Sequence, residues 1–263
     1  MSGILQRDRR NGILRLTLND PETRNSLSEA MMAALAIALD EARQDDATRV
    51  IVIAAEGPAF CSGHNLKEIT RHRRDEDAGK AYFVKLMAHC SALMQTIVHH
   101  PKAVIAEVAA AASAAGCQLV ASCDLALASE QARFATPGVN IGLFCSTPMV
   151  ALSRNVSRKH AMEMLLTGDM ISAAQAERIG LVNRVVATQL LRSSVDELAQ
   201  KIAGKSKAVT KIGKEAFYRQ VEMPLADAYD YASRVMVENL LIQDAKEGIG
   251  AFVDKRPPKW EDR

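Results

Sequence analysis

The chain has 263 residues, 48% of them hydrophobic, enough apolar material for one large α/β core or a core with an appendage. Lys and Arg (33) nearly balance Asp and Glu (31), so a net charge of +2 gives no general argument for a nucleic-acid or membrane partner. Five cysteines without Cys-x-x-Cys spacing argue against a disulfide framework and a zinc site, and predict reduced thiols with no metal bound.

Residues 1–12 mix Asp8 with Arg7, Arg9 and Arg10 and contain no apolar h-region, so the cytoplasm is the expected compartment. Residues 12–18 alternate apolar and polar side chains and end in Asn19-Asp20-Pro21, the pattern of a half-buried strand and a turn. Ser26-Leu27-Ser28-Glu29 has the form of a capping box, and Leu27, Met31, Leu35, Leu39 and Ala42 recur behind it at helical spacing. Residues 50–55 form a continuous apolar run, as in a strand buried on both faces. The mixed charges of residues 67–80, including Arg71, Arg73 and Arg74, predict a solvated loop rather than an RNA-binding patch.

Residues 82–98 are helical in period and stop at His99-His100-Pro101; Leu86, Met87, Cys90 and Met94 line either the core or an acyl pocket. Residues 103–127 are the most apolar stretch, but Glu107, Gln118 and Asp124 interrupt it, which predicts buried core rather than a membrane span. Within it, residues 103–108 read as a strand, while propensity alone does not place residues 109–115, because alanine favours helix and the neighbouring β-branched residues do not. Helices follow at 158–166, 173–179 and 190–202, with a short strand at 182–186. From residue 205 onward only helices are expected, at 210–220, 225–241 and 243–252. The chain therefore divides into a core, residues 1–204, and a helical region, residues 205–263. Tyr229, Val235, Met236, Leu240 and Leu241 form an apolar face on the latter that a single helical layer cannot bury.

Seven segments in order carry a family resemblance. They include Asn19-Asp20-Pro21 through Leu27, Phe60-Cys61-Ser62-Gly63-His64-Asn65-Leu66, and Ala114-Ala115-Gly116-Cys117-Gln118-Leu119 with Cys123-Asp124. Phe134-Ala135-Thr136-Pro137 with Gly142, Leu166-Thr167-Gly168, Ala173 through Val182, and the ending Phe252 to Pro257 complete the set. Over nearly its whole length the chain resembles the crotonase (enoyl-CoA hydratase/isomerase) superfamily, particularly the enoyl-CoA-hydratase-domain proteins of mitochondria and their bacterial relatives. The resemblance implies an α/β fold, a ββα spiral core with a C-terminal helical oligomerisation region, assembled as a homotrimer or a dimer of trimers. It implies an acyl-CoA substrate with no separate cofactor, since CoA is part of the substrate, and a mitochondrial matrix location if the source is eukaryotic.

By matching position, the backbone N–H groups of His64 and Ala115 would form an oxyanion hole for a thioester enolate. Cys61, Ser62, Gly63, His64, Asn65 and Leu66 would hold the adenine, with Arg24 near the phosphates. Phe252 and Lys255 would close over the nucleotide from a neighbouring subunit. Gln118 and Gly138 occupy the positions of the two catalytic glutamates of hydratases, and Ala115 and Ala109-Ala110 replace the usual glycine and Asn-Gly.

Hydration needs one carboxylate to deprotonate water and a second to deliver the α-proton. Gln118 can orient a water but cannot take its proton, and Gly138 can do neither, so hydratase activity is expected to be weak or absent. His64 is a replacement group if it titrates near neutrality, and otherwise a packing residue over adenine. Cys61 and Cys117 are expected to be small buried hydrophobes, as is Cys145, which with Ser146 and Thr147 stands where some superfamily members place an aspartate. Glu107, Asp124 and Glu163 are expected to be structural. The sequence thus points to an acyl-CoA thioester-binding enzyme of fatty-acid metabolism, with a malonyl-type acyl-CoA decarboxylase or a non-catalytic acyl-CoA-binding scaffold as alternatives.

Overall fold

The computed structural model describes residues 3–263. A hairpin opens it, β1 (Leu5–Arg10) running antiparallel to β2 (Ile13–Leu18) across a turn in which Asn11 and Gly12 both take positive φ, 51° and 78°. Asn-Gly is the pair such a turn favours. Sequence reasoning passes over β1 because five of its six residues are exposed and it has no apolar face; its charges suit an edge strand. Helix α1 (Glu29–Gln44) follows, burying Met31, Leu35, Leu39 and Ala42. Its cap is Ser28, whose Oγ accepts from the Met31 N–H at 3.2 Å. Ser26, the expected cap, lies outside the helix with its hydroxyl buried and unpaired.

Strands β3 (Val50–Ala55), β4 (Ala59–Cys61), β5 (Ala103–Val108), β6 (Ala111–Ser113), β7 (Leu125–Ser129), β8 (Arg133–Ala135), β9 (Ile171–Ser172) and β10 (Arg184–Val186) fall into two sheets. The larger has the order β1-β2-β3-β5-β7-β10 and is parallel from β2 onward; the smaller has the order β4-β6-β8-β9. Helices α2 (Leu66–His72), α3 (Lys80–Val98), α4 (Ala115–Ser122), α5 (Ser146–Asn155), α6 (Arg158–Thr167), α7 (Ala173–Arg178) and α8 (Leu191–Ala203) alternate with them. Part of the expected loop at 67–80 is therefore helix: Asn65 Oδ1 accepts from the Lys67 and Glu68 N–H groups and starts α2 within the charged run. Helix α5 also goes beyond the sequence reading, its Pro148 tolerated in the first turn where no helical N–H partner is lost.

The unbroken apolar run in β3 is explained by burial on both faces. Val50 and Val52 pack with Leu191, Val195 and Ala199 of α8, whereas Ile51 and Ile53 belong to the main core with Leu35, Leu86 and Phe60. Leu86, Cys90 and Met94 of α3 are in that main core, with Met87 packed against it. Arg15, 4% exposed, pairs with Glu107 and with Asp196 (2.7 Å), tying α8 to the sheet. Asp124 ties the next helix, α9 (Lys207–Gln220), to the same core: it accepts from Lys214 Nζ at 2.7 Å, Tyr218 Oη at 2.9 Å and the Val104 N–H at 2.7 Å. Helices α10 (Leu225–Leu241) and α11 (Gln243–Val253) pack beside α9 and leave Tyr229, Met236, Leu240, Leu241 and Phe252 exposed. Glu163, by contrast, is a surface residue of α6 with no core role.

Candidate functional site

Two chain segments meet where β6 leaves the small sheet. Cys61 of β4 pairs with Ala112 of β6, and the ladder would continue into residues 62–64 and 113–115 if both chains stayed extended. Ala114 prevents this. It takes φ 51° and ψ −118°, outside the regions ordinary for an L-residue, and Ala115 begins α4. On the other side, Leu27 forms a parallel bridge to His64, its N–H donating to Gly63 O at 2.8 Å. In a parallel bridge the partner bonds the peptide groups flanking the central residue, so the His64 N–H faces away from Leu27, toward the departing β6. Neither that N–H nor the Ala115 N–H, which opens a helix and has no acceptor four residues back, donates to any of the described residues.

Close approach depends on two glycines. A β-carbon on Gly116 would lie 2.2 Å from Cys61 O, so α4 can dock against β4 only without one. At Gly63, with φ +92°, it would meet Ala114 Cβ at 2.9 Å and the Ala115 nitrogen at 3.3 Å. The segment 61–65 is also held from behind. Ser62 donates its N–H to Arg24 O and its Oγ to Thr23 O, both at 3.1 Å, which brings Arg24 beside Cys61, Ser62, Gly63, His64, Asn65 and Leu66. Asn25, fully buried, fastens this corner through three bonds. Its Oδ1 accepts from the Asp20 N–H (2.7 Å), and its Nδ2 donates to Glu56 O and Ala59 O (both 2.8 Å).

Apart from Arg24, the side chains named at this junction carry no fixed charge. Gln118 is 5% exposed, with Oε1 facing Cys90 Sγ at 3.8 Å. Burial pushes the Cys61 and Cys117 thiols up to about 12 and Cys90 up to about 11, so all three stay protonated. Cys145 shifts upward for the same reason. The sulfurs are the packing groups the sequence suggests, and all five cysteines are buried. His64 is partly buried beside the junction. Desolvation lowers its pKa below the ordinary histidine value, and the ring donates Nδ1–H to Leu27 O at 3.3 Å while Nε2 is buried without a partner. Gly138 begins a tight loop after β8, and there the Leu143 N–H returns to Gly138 O at 2.9 Å while the Gly138 N–H donates to Cys145 Sγ at 3.3 Å.

Residues 8–263 match the sequence profile of enoyl-CoA hydratase/isomerase. The chain belongs to the enoyl-CoA hydratase/isomerase family. It is 49% identical over 257 residues to the mitochondrial enoyl-CoA hydratase domain-containing protein 3 of Xenopus laevis, covering 98% of this chain and 85% of that one. The human protein of that name is 48% identical over 249 residues, 95% of this chain and 80% of its own length. Among solved structures, the enoyl-CoA hydratase of Mycobacterium smegmatis superposes with a TM-score of 0.93 at 49% identity, covering 98% of this chain and 99% of that one. The human domain-containing protein 3 gives 0.93 at 46% identity, with 98% and 100% covered. The fold is thus the crotonase fold.

Within this family frame the single chain assembles some of the sequence-derived site and leaves the rest apart. Arg24, the 61–66 segment, Ala115 and Gln118 share one junction. Phe252 is 85% exposed on α11, which packs on α9 and α10, and Lys255 follows that helix with positive φ, 54°. Sequence reasoning did not single out Asn25, although the Asn-Ser-Leu segment holding it was recognised. A buried asparagine with three backbone partners is visible only after folding.

Proposed function

We propose that this protein binds acyl-CoA thioesters in fatty-acid metabolism and stabilises the thioester enolate between the N–H groups of His64 and Ala115, without efficient hydration. The observation that carries this reading is the pair of backbone donors left without acceptors among the described residues, beside Gln118 and Gly138 in place of the two carboxylates. A developing oxyanion there would accept both, and the dipole of α4 adds to the attraction. CoA would lie along Cys61 to Leu66 with Arg24 at its phosphates, and Phe252 and Lys255 would reach it from a neighbouring copy in a trimer or a dimer of trimers. The exposed apolar faces of α10 and α11 favour such an assembly. The compartment follows the source: the mitochondrial matrix in a eukaryote, in keeping with vertebrate relatives named as mitochondrial, or the cytoplasm in a bacterium.

Loss of hydration follows from position 138. A β-carbon there would lie 2.8 Å from Leu143 O and 3.0 Å from Cys145 Sγ, so the loop fills the space where a glutamate would start. Gln118 supplies no base. Decarboxylation of a malonyl-type thioester is the second reading, because loss of CO₂ generates the enolate with no base and leaves the donors their role.

Steady-state hydration of crotonyl-CoA, run beside equilibrium binding of butyryl-CoA, tests the proposal. Binding with hydration at least ~10²-fold below ordinary hydratases is the expected result, since each missing acid/base group typically contributes ~10²–10⁴ in rate. Hydration at the ordinary rate would overturn the loss of hydratase chemistry, and absence of CoA-ester binding would overturn the whole reading.

A further inference from the structure

We infer that residues 256–263 form a clasp along α11, and that its closure on Arg49 fixes Lys255 where it can reach a CoA nucleotide. The inference deepens the proposed function and rests on the reading of Lys255 as a nucleotide contact supplied to a neighbouring copy.

Lys255 stands at the apex of a return in the chain. Helix α11 ends with the Lys255 N–H donating to Phe252 O at 3.2 Å and the Arg256 N–H to Ala251 O at 2.9 Å, and the chain then runs back beside the helix. Glu247 accepts from both Nη groups of Arg256 (2.7 and 2.9 Å) and from the Lys259 N–H (2.7 Å). Beside it, a β-carbon on Gly248 would lie 3.1 Å from the Trp260 ring. At the start of the helix, Asp244 accepts the N–H groups of Glu261 (2.7 Å) and Asp262 (3.0 Å) on separate oxygens and donates its own N–H to Arg263 O at 2.9 Å. Asp244 is 1% exposed, so departure of residues 261–263 would strand a buried carboxylate.

The tip of the clasp is held by the core. Asp262 accepts from both Nη groups of Arg49, at 2.7 and 3.0 Å, and from the Lys207 N–H that opens α9, at 2.7 Å. Arg49, just ahead of β3, also donates to Ala203 O and Lys205 O, and Trp260 Nε1 donates to Gly204 O at 3.0 Å. The clasp therefore bridges the boundary between the core and the helical region. Asp262 places an anion at the α9 N-terminus, while Arg49 and Trp260 give donors to carbonyls at the α8 C-terminus, the groups a helix itself leaves unpaired. Little else fixes α11, whose only buried side chains are Asp244 and Ala251. The two-point Arg49–Asp262 pair is the most directional of these contacts, so closure depends on it.

Trp260 is the only tryptophan, so its fluorescence reports the state of the clasp. Asp262→Ala should open the clasp and move the emission to longer wavelength. Calorimetric titration with butyryl-CoA then compares wild type, Lys255→Ala, Asp262→Ala and the double variant, with sedimentation to follow the assembly. Lys255→Ala should weaken binding ~10-fold, as loss of a hydrogen bond between charged groups does. Asp262→Ala should weaken it by as much, and adding Lys255→Ala to it should change the affinity by less than ~2-fold, because the two residues act through one contact. Trp260→Ala, a second way to open the clasp, should reproduce this pattern. Unchanged emission in Asp262→Ala, additive losses, or a shifted emission with wild-type affinity would overturn the role of the clasp, as would a loss that appears only when the assembly dissociates. Lys255→Ala without effect on wild type would instead remove the nucleotide reading beneath it, and wild type that binds no butyryl-CoA would remove the proposed function itself.

Discussion

Gly138 and Cys145 are fitted to one another: the glycine N–H donates to the cysteine sulfur at 3.3 Å, and a β-carbon on the glycine would sit 3.0 Å from that same sulfur. The missing glutamate is therefore more than a deleted side chain. The loop has closed over its origin, and the two positions form a coupled pair.

Gly138→Glu alone should therefore destabilise the protein by about 1–3 kcal/mol, the usual range for overpacking a close-fitted interior. Cys145→Gly in the same chain should recover part of that loss. Thermal melts of both single variants and the double variant give the coupling directly, and strict additivity would show that the two positions do not share space. Hydration of crotonyl-CoA should require Gln118→Glu, Gly138→Glu and Cys145→Gly together, with Gln118→Glu/Gly138→Glu remaining inactive.

The Gly63 position is equally tight, because a β-carbon would press on Ala114 and on the Ala115 nitrogen. Gly63→Ala should displace one of the two donors and reduce enolate-forming turnover ~10²–10³-fold, with a smaller effect on CoA-ester affinity. Release of CO₂ from malonyl-CoA, which forms the enolate without a base, is the readout, and an unchanged rate would dissociate the junction from the chemistry.

Ala114 holds a backbone conformation suited to glycine. Such residues typically carry about 1–3 kcal/mol of strain. Ala114→Gly should raise stability by about 1 kcal/mol after the greater freedom of glycine in the unfolded chain is deducted, and Ala114→Val should lower it. Urea denaturation of the two variants separates these outcomes by sign.

His100 carries a prediction for pH. It is 1% exposed, contacts Leu39 O through Nε2 at 3.0 Å and accepts the Lys102 N–H at Nδ1. Burial lowers its pKa to about 4 from 6.5. The unfolded chain therefore binds the proton more readily than the folded one, so the neutral ring's contribution is complete above pH 6.5 and is lost as pH falls toward 4. The loss approaches about 3 kcal/mol. The stability difference between wild type and His100→Gln should narrow over that interval, and a constant difference would show that the ring does not titrate with unfolding.

Asn25 should be the most sensitive polar residue outside the junction. Asn25→Ala strands the Asp20 N–H and the carbonyls of Glu56 and Ala59, for an expected cost of about 2–4 kcal/mol. Asn25→Asp keeps the size but turns a carboxylate oxygen toward two carbonyls and should be no better tolerated. A stability like wild type in Asn25→Asp would mean the corner is held by other bonds.

Periodicity and ordered motifs determined most of the elements of this protein from the sequence alone, because residues 29–44, 50–55, 80–98 and 103–108 write their burial into apolar spacing. They also located Gln118 and Gly138 as departures from the family pattern. Elements whose residues face solvent, such as β1, or whose start depends on a local side-chain cap, such as α2, were not legible, since neither leaves an apolar period. Tertiary structure alone decided that Ala114 breaks the β4–β6 ladder and leaves two N–H groups without acceptors among the described residues, that burial lowers the pKa of His64, and that Gly138 is enclosed. Each of these depends on which atoms occupy the few ångströms beside a residue, and those neighbours come from segments 37 to 55 positions away (Leu27 to His64, Cys61 to Gly116) or from a loop that returns on itself.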